Sequence, residues 1–336
     1  MVTLYISSLE KGTGKTTVCA ALAKRLLNEG RKIGFFKPIV AGGKPADGTD
    51  SDAAFMKDLL ALKESADSLC PFFSSEQNPA PKIKEAFARV SSNKDVMIVE
   101  GPEISGQTSI DTVRALDARA IIVAGYSEPL PAESLVAASR SLGKNLLGVV
   151  INKTPASQLE RVCDEASASF SQAGVPLLAV LPEDRALFSF SIGELAEHVQ
   201  GEVLNNLEKS ADLAENIMLG ALCVDPGPLY FGRKPNKVAV LRSDRPDMQM
   251  AALETSTRAL VISGKTPLVQ SVRYRAQDKE VPIILTGDDV AATVAKIEDA
   301  LARTRFNQMN KVPRITEIME QDFDFKTVYK ALGLAG

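Results

Sequence analysis

The first 29 residues carry the pattern that most constrains the fold of this chain. The apolar run "VTLYIS" (residues 2–7) is typical of a buried strand, and residues 15–29 have the spacing of an amphipathic helix. Between them lies "SLEKGTGKTT", in which glycines precede a lysine and two threonines. Glycine turns of this kind let successive backbone N–H groups face inward around phosphate oxygens, and the helix N-terminus adds a favourable dipole. The pattern predicts a phosphate-binding loop between strand and helix.

Side chains of this loop have separate predicted roles toward a nucleotide. Lys15 supplies a charge between the β- and γ-phosphates, Thr16 offers its hydroxyl to Mg²⁺, and Thr17 lies nearer the α-phosphate. The other predicted nucleotide contacts come from Gly12, Thr13 and Gly14. Leu9 stands where the usual loop has its first glycine, so the loop is a deviant one. The roles of its neighbours Glu10 and Lys11 stay open.

Short β-branched apolar runs alternate with helical patterns over the rest of the first half. This alternation predicts an α/β fold of P-loop NTPase type, in which helices flank a parallel sheet. The further predicted strands lie at residues 32–38, 95–101, 118–125, 146–153 and 175–182. Functional side chains are expected where these strands end, because the carboxyl ends of parallel strands share one edge of the sheet.

A second, smaller α/β alternation begins at residue 236 and contains predicted strands at 236–243, 259–264 and 281–287. Polar sequence with a helical pattern, from about residue 190 to 220, separates the two regions. We therefore predict a nucleotide-binding domain over residues 1–205, a second α/β domain over 212–310 and a C-terminal tail over 311–336.

Composition narrows the possible functions. The net charge is −3, which gives no general basic character for binding nucleic acid or a membrane surface. Four scattered cysteines, without metal-type spacing, suit a cytoplasmic protein. The single histidine, His198, has a pattern typical of a helix surface, and a lone histidine makes histidine-rich metal sites and a Ser-His-Asp triad improbable.

Four side chains at predicted strand ends suit a nucleotide site. Lys37 follows the second strand and suits a γ-phosphate or a substrate, although such a lysine is more often solvated. Asp52 lies in "DGTDSDAAF", where Asp50 or Ser51 suits a helix cap. Glu100 ends a buried strand, where a carboxylate commonly orders Mg²⁺. Asn152 offers donor and acceptor to an adenine edge, or is a turn residue.

Together these segments resemble the dethiobiotin synthetase family. The matching motifs appear in the family's order: G-K-T-T at 14–17, K-P at 37–38, S-D-A at 51–53, V-E-G at 99–101 and N-K at 152–153. The resemblance implies ATP and Mg²⁺ as ligands, with phosphate contacts from Lys15 and Lys37 and an adenine contact from Asn152. It also implies metal contacts from Thr16, Asp52 and Glu100. The family's glycine-rich stretch after V-E-G, which helps to hold diaminopelargonate, reads "PEISGQTS" here.

A second resemblance extends over most of the chain. "FFKPI", "VMIVEG", "GVVINK" and "RSDRPDMQMAALET" (242–255) are similar to the N-terminal half of long-form bacterial phosphate acetyltransferases. In those proteins a dethiobiotin synthetase-like domain precedes a DRTGG domain. Within the matching motif, Asp244 or Asp247 suits a helix cap and Arg245 suits an anion or an ion pair.

Three functions follow as hypotheses. The first is a regulatory or accessory ATPase that binds ATP–Mg²⁺ and relays its nucleotide state through the DRTGG domain to an unidentified enzyme. The second is an ATP-dependent ligase, in which Lys15 and Lys37 act catalytically by stabilising charge on the transferred phosphoryl group. The third is a scaffold with a vestigial loop, which the intact "GKTT", Lys37 and Glu100 oppose. The resemblance also predicts a homodimer.

Overall fold

The computed structural model describes residues 1–39, 50–73, 79–104, 107–220, 227–304 and 306–334. These residues belong to two compact units. One comprises Met1–Asp184 together with Phe306–Gly336, and the other comprises Arg185–Arg305. The second unit is therefore inserted between two segments of the first.

The first unit alternates strands and helices up to residue 184. In chain order its elements are β1 (Val2–Ser8), α1 (Lys15–Asn28), β2 (Ile33–Phe36), α2 (Ser51–Leu59), α3 (Ala66–Leu69), α4 (Ala80–Val90), β3 (Val96–Glu103), α5 (Gln107–Ala115), β4 (Arg119–Gly125), α6 (Ala132–Leu142), β5 (Leu146–Thr154), α7 (Leu159–Ala173) and β6 (Leu177–Pro182).

These six strands form one parallel sheet in the order β2-β3-β1-β4-β5-β6. The central strands read as continuous apolar runs because both faces are covered; Leu4, Tyr5 and Ile6 of β1 are all fully buried. The predicted parallel α/β fold of P-loop type is thus confirmed. Its carboxyl edge places the ends of β1, β2, β3 and β5 on the same side of the sheet.

In its described residues, the second unit contains the remaining strands and five α-helices. Its elements are β7 (Phe190–Ser191), α8 (Ile192–His198), β8 (Glu202–Val203), β9 (Leu213–Ala214), β10 (Asn216–Gly220), α9 (Gly227–Phe231), β11 (Lys237–Arg242), α10 (Pro246–Leu253), β12 (Thr257–Ser263), α11 (Gln270–Asp278), β13 (Ile283–Thr286) and α12 (Val290–Arg303). The main sheet has the order β10-β11-β12-β13-β8, in which β8 alone is antiparallel to its neighbour. Alternate residues of β11 and β12 enter two apolar clusters, one on each face. This is the predicted smaller α/β domain.

The bounds of the two units differ from the predicted domain bounds. Within residues 190–220, helical structure is found in α8 and in a 3₁₀ helix at Leu207–Ala211, and short strands account for much of the rest. Val203 of β8 pairs with Ile284 of β13, and α8 contributes Leu195 and Val199 to the second unit's core. Residues 185–205 therefore belong to the second unit, because pairing and burial at this point outweigh a polar sequence.

The predicted tail is helical and packs on the first unit as α13 (Val312–Asp322) and α14 (Phe325–Leu332). The guanidinium of Arg25, on α1, stacks 4.1 Å from the ring centroid of Phe325. Arg25 Nε also donates to the hydroxyl of Tyr329 at 3.2 Å, and that hydroxyl donates to Glu29 Oε1 at 2.8 Å. The far end of the loop-bearing helix is thus held by the last two helices of the chain.

The single histidine and three of the four cysteines lie within the described residues. His198 is exposed at the end of α8, as expected. Cys19 is buried, Cys70 and Cys163 are half-buried, and these three are free thiols. Cys223 lies outside the described residues. Within the part of the chain that the structure describes, no helix is both long and apolar enough to cross a membrane.

Candidate nucleotide-binding site

The loop between β1 and α1 has the backbone of an anion cradle. Gly12 (φ 74°) and Gly14 (φ 93°) adopt the left-handed conformation that other residues avoid. Gly14 is also the N-cap of α1 and gives that helix no side-chain cap, so the first N–H groups of α1 have no side-chain acceptor there. A Cβ at position 14 would lie 2.3 Å from Nδ2 of Asn152, so the site requires glycine for space as well.

The end of β5 meets the outer side of this loop. Asn152, which is 6% exposed, donates from Nδ2 to the carbonyl of Thr13 at 2.9 Å. Its Oδ1 accepts from the backbone N–H of Lys153 at 2.9 Å. The side chain therefore braces the loop, while one amide hydrogen remains beyond this bond. The adenine contact of Asn152 stays a prediction.

Lys153 also reaches the loop, in a role that the sequence did not predict. Its Nζ donates to the carbonyl of Gly12 at 2.6 Å. Burial lowers the pKa of Lys153, and the charge of Glu183 opposes that effect. The signal was present as the N-K pair at the end of a buried strand, but sequence alone did not indicate what the lysine contacts.

Lys15 is held by two oxygens at the ends of the central strands. Its Nζ donates to Ser8 Oγ at 2.9 Å and lies 3.5 Å from Glu103 Oε1. Burial opposes ionisation of Glu103, but its own backbone N–H and the charge of Lys15 outweigh burial and lower the pKa of this carboxyl. Glu103 was not predicted as a site residue, because it lies in the altered stretch after V-E-G.

Glu100 is the most deeply buried carboxylate of the site, with 4% exposure. Its Oε1 accepts from the hydroxyl of Thr16 at 3.1 Å, and its Oε2 is buried without a hydrogen-bond partner. Burial raises its pKa from 4.5 to about 7; the charge of Lys37 opposes this rise, and the charge of Asp52 adds to it. A buried carboxylate with an unpartnered oxygen is a ready ligand for a hard cation.

Lys37 lies just after β2, among three carboxylates. Its Nζ is 3.1 Å from Asp50 Oδ1 and 3.6 Å from Glu100 Oε1, and it contacts Asp52 Oδ2 more closely. Burial acts to lower the pKa of Lys37, but Glu100, Asp52 and Asp50 raise it, so the ammonium stays charged. Asp50 also caps α2 by accepting from Ala53 N at 2.9 Å, as its position suggested.

Few protein side chains at this site are available to coordinate a Mg²⁺ ion. Among the described residues, no group of three or more His, Cys, Asp or Glu side chains is arranged to hold a metal. The ammonium of Lys37 lies among the acids instead. Mg²⁺ usually keeps several waters and binds one or two protein oxygens plus substrate phosphates. The Thr16 hydroxyl and the unpartnered Oε2 of Glu100 fit that requirement, and phosphates would supply the rest.

Two family models match this chain. Residues 2–189, more than half of the chain, match the family model described as an AAA domain (AAA_26). The chain belongs to this AAA domain family. Residues 194–300 match the model described as a DRTGG domain. The resemblance to a synthetase-like P-loop domain followed by a DRTGG domain is thereby confirmed.

Named relatives of this AAA domain protein fall into two groups. A phosphate acetyltransferase from Haemophilus influenzae is 24% identical over 300 residues, which cover 78% of this chain and 42% of that protein. An ATP-dependent dethiobiotin synthetase from Bacillus thuringiensis is 27% identical over 200 residues, which cover 53% of this chain and 82% of that protein. The chain thus spans less than half of the acetyltransferase.

Among solved structures, the MinC:MinD cell division complex of Aquifex aeolicus matches at 17% identity with a TM-score of 0.39. The match covers 56% of this chain and 84% of that one.

In this AAA domain the sheet edge brings together all of the predicted site residues. The loop residues Gly12 to Thr17 are contiguous with α1, and Lys37, Asp52, Glu100 and Asn152 converge on them through the contacts given above. The sequence did not identify Glu103 and Lys153 as members, nor Asp50 as a partner of Lys37. Glu103 and Lys153 are assigned by contacts between segments that are distant in sequence, and Asp50 by its ion pair with Lys37.

The DRTGG-motif residues form local ion pairs in the second unit. Arg242 Nε donates to Asp244 Oδ1 at 2.9 Å, and Arg245 Nε donates to Asp247 Oδ1 at 2.9 Å. The N-cap of α10 is Arg245, not Asp244, and it makes no side-chain cap bond. The pKa of Asp247, in the first turn of α10, is lowered by its hydrogen bond with Arg245 and also by the backbone N–H of Met248. The motif thus fixes the turn between β11 and α10 by charge pairing.

Proposed function

We propose that this protein binds ATP with Mg²⁺ and acts as a regulatory or accessory ATPase. The observation that carries the proposal is the Thr16–Glu100 pair beside a phosphate-type loop. In it, a carboxylate with a neutral-range pKa keeps a buried oxygen without a partner. That arrangement is suited to a metal ion that arrives together with phosphates.

The charge balance of the site supports a requirement for the cation. Four carboxylates, those of Asp50, Asp52, Glu100 and Glu103, surround the ammonium groups of Lys15 and Lys37. Such a site repels a polyphosphate that enters alone. With Mg²⁺ as an added positive charge, the acids become ligands or acceptors of metal-bound water instead of like charges.

Each predicted residue then has a role in binding. The loop N–H groups receive the phosphates, and Lys15 moves from Glu103 to the β- and γ-phosphates. Lys37 faces the γ-phosphate. Thr16, Asp52 and Glu100 would hold Mg²⁺ directly or through water, and the ion would supply positive charge beside the phosphates. Thr17 approaches the α-phosphate, and Asn152 uses its second amide hydrogen for adenine.

The regulatory part of the proposal rests on the DRTGG domain. The motif in this unit is occupied by ion pairs, which suits a structural or signalling role better than chemistry. We propose that the unit relays nucleotide state to an enzyme partner, and that the protein is a cytoplasmic homodimer.

An ATP-dependent ligase of dethiobiotin synthetase type is the second candidate. It is favoured by the relationship to the Bacillus synthetase and by the ammonium of Lys37, which lies 3.6 Å from Glu100 Oε1 and could stabilise charge on a transferred phosphoryl group. Formation of dethiobiotin from diaminopelargonate, bicarbonate and ATP would establish this activity. Nucleotide binding without product formation at high enzyme concentration would favour the regulator.

Isothermal titration with ATP and MgCl₂ tests the binding proposal. Wild-type protein is expected to bind ATP, and the Lys15→Ala variant is expected to bind it more weakly. Lys144→Ala is the matched control, because Lys144 is exposed at the opposite, amino end of β5. Absence of heat at millimolar nucleotide, or equal binding by wild type and Lys15→Ala, would overturn the proposal.

A further inference from the structure

Two consecutive carbonyl groups of the phosphate loop are engaged from outside the loop. The carbonyl of Gly12 accepts from Lys153 Nζ at 2.6 Å, and the carbonyl of Thr13 accepts from Asn152 Nδ2 at 2.9 Å. Both donors are adjacent residues at the end of β5. The loop is therefore braced on one side by a single short segment of another strand.

This bracing has a direct consequence for the loop N–H groups. In a trans peptide unit the C=O and the N–H point in opposite directions. When the carbonyls of Gly12 and Thr13 are drawn toward β5, the N–H groups of Thr13 and Gly14 turn away from β5. That direction is the concave side of the loop, where backbone N–H groups bind phosphate.

The bracing segment is itself held in an unusual conformation. Lys153 has φ 63°, in the left-handed region that residues other than glycine rarely adopt. Its own N–H donates to Asn152 Oδ1 at 2.9 Å, which stabilises that turn, and the carbonyl of Asn152 accepts from Tyr126 N at 2.8 Å. The strained turn aims the lysine side chain at Gly12 instead of along the strand.

We propose that Lys153, assisted by Asn152, is a positioning residue that forms the phosphate cradle before nucleotide arrives. This inference rests on the proposed ATP binding and adds a specific cause for its affinity. Lys153 acts through the backbone of Gly12 and needs no contact with phosphate. Substitution of Lys153 should therefore lower the affinity for every nucleotide that binds the loop by the same factor, whether or not the nucleotide has a γ-phosphate.

The test compares Lys153→Met, which keeps the length of the side chain and loses the donor, with Lys153→Arg, which keeps a donor and a charge. Titration of each variant with ATP–Mg²⁺ and ADP–Mg²⁺ should show that Lys153→Met binds both nucleotides with about tenfold lower affinity than the wild type. Lys153→Arg should recover a substantial part of that loss. Circular dichroism establishes that the variants are folded.

A second measurement, without nucleotide, distinguishes positioning from direct contact. Hydrogen exchange of the loop peptide should be faster in Lys153→Met than in wild type, because the cradle is no longer held. A lysine that acted only on bound phosphate would leave this exchange unchanged. Unchanged exchange would overturn the inference.

The binding outcomes separate this inference from the proposed function. If Lys153→Met binds both nucleotides as wild type does while Lys15→Ala loses affinity, the positioning role is wrong and ATP binding stands. A much larger loss for ATP than for ADP would indicate direct γ-phosphate contact and would also overturn it. Failure of the wild type to bind either nucleotide would remove both proposals.

Discussion

Replacement of Glu100 by glutamine gives a quantitative test of the metal site. Burial raises the pKa of Glu100 to about 7, so about half of the nucleotide-free molecules carry a proton on this side chain at pH 7. A carboxylate must be deprotonated to act as a metal ligand. Binding of ATP–Mg²⁺ should therefore release about 0.5 proton at pH 7, about 0.9 at pH 6 and about 0.1 at pH 8.

Calorimetry in buffers of different ionisation enthalpy measures this number directly. ATP saturated with Mg²⁺ is used for all proteins, so that the nucleotide's own titration is common to them. Glu100→Gln should lack the pH-dependent release at saturating ligand. Glu103→Gln is the matched control, because Lys15 and the backbone hold the pKa of Glu103 low, and it should retain the wild-type release. A wild-type release that is constant from pH 6 to 8, or equal in Glu100→Gln, would refute the assignment.

The same pKa shift makes a prediction for stability without ligand. The folded state binds the Glu100 proton more tightly than the unfolded state between pH 4.5 and about 7, so stability should fall as pH rises through this window. The shift corresponds to a decrease on the order of 3 kcal/mol in the wild type's free energy of unfolding across this pH range. Thermal scans at pH 5 and 8 should show a smaller difference for Glu100→Gln.

Three further substitutions test other parts of the structure. Gly14→Ala should lower the midpoint of thermal unfolding, since the new Cβ would lie 2.3 Å from Asn152 Nδ2. ATP should raise the midpoint of the wild type but not that of the variant, and an equal rise in both proteins would contradict this prediction. Arg25→Ala removes the contact with Phe325 at 4.1 Å. We expect the free energy of unfolding to fall by about 1 kcal/mol and hydrogen exchange in α13 and α14 to become faster. Burial lowers the pKa of Lys237 to about 8, so between pH 8 and 10 the unfolded chain binds this proton more tightly than the folded chain does. The wild type should therefore become more stable as the pH rises from 8 to 10, and Lys237→Met should lack this increase. Denaturant unfolding at the two pH values measures the difference.

Much of the first unit could be predicted because its signals are local and repeated. Strand, glycine loop and helix follow one another within 28 residues, and each later strand is a continuous apolar run. Parallel pairing then places the carboxyl ends of these strands on one edge, so the sequence alone predicts that Lys37, Glu100 and Asn152 share one site. The same rule did not indicate which charges pair there.

The remaining features depend on contacts that no local pattern encodes. Pairing of Lys15 with Glu103 links residues on neighbouring strands, and the contact of Lys153 with Gly12 depends on a left-handed turn that lysine rarely adopts. The return of the C-terminal helices depends on contacts such as Arg25 with Phe325, which lie far apart in sequence. In the second unit, β8 has only two residues, too few for a pattern, and its pairing with β13 makes it a strand.

The nucleotide-free site has a consequence for how ATP would bind. Lys15 and Lys37 already have carboxylate partners, so their contacts with phosphate replace existing ion pairs and contribute only the difference between the two. The loop N–H groups, in contrast, are directed through the carbonyls that Lys153 and Asn152 hold, and among the described residues no carboxylate accepts from them. Most of the phosphate affinity should therefore come from the braced backbone together with Mg²⁺, and less from the lysine charges. On this reasoning, omission of Mg²⁺ should weaken ATP binding more than Lys37→Met does, because the cation is needed to offset four acids and the substitution removes one charge of two.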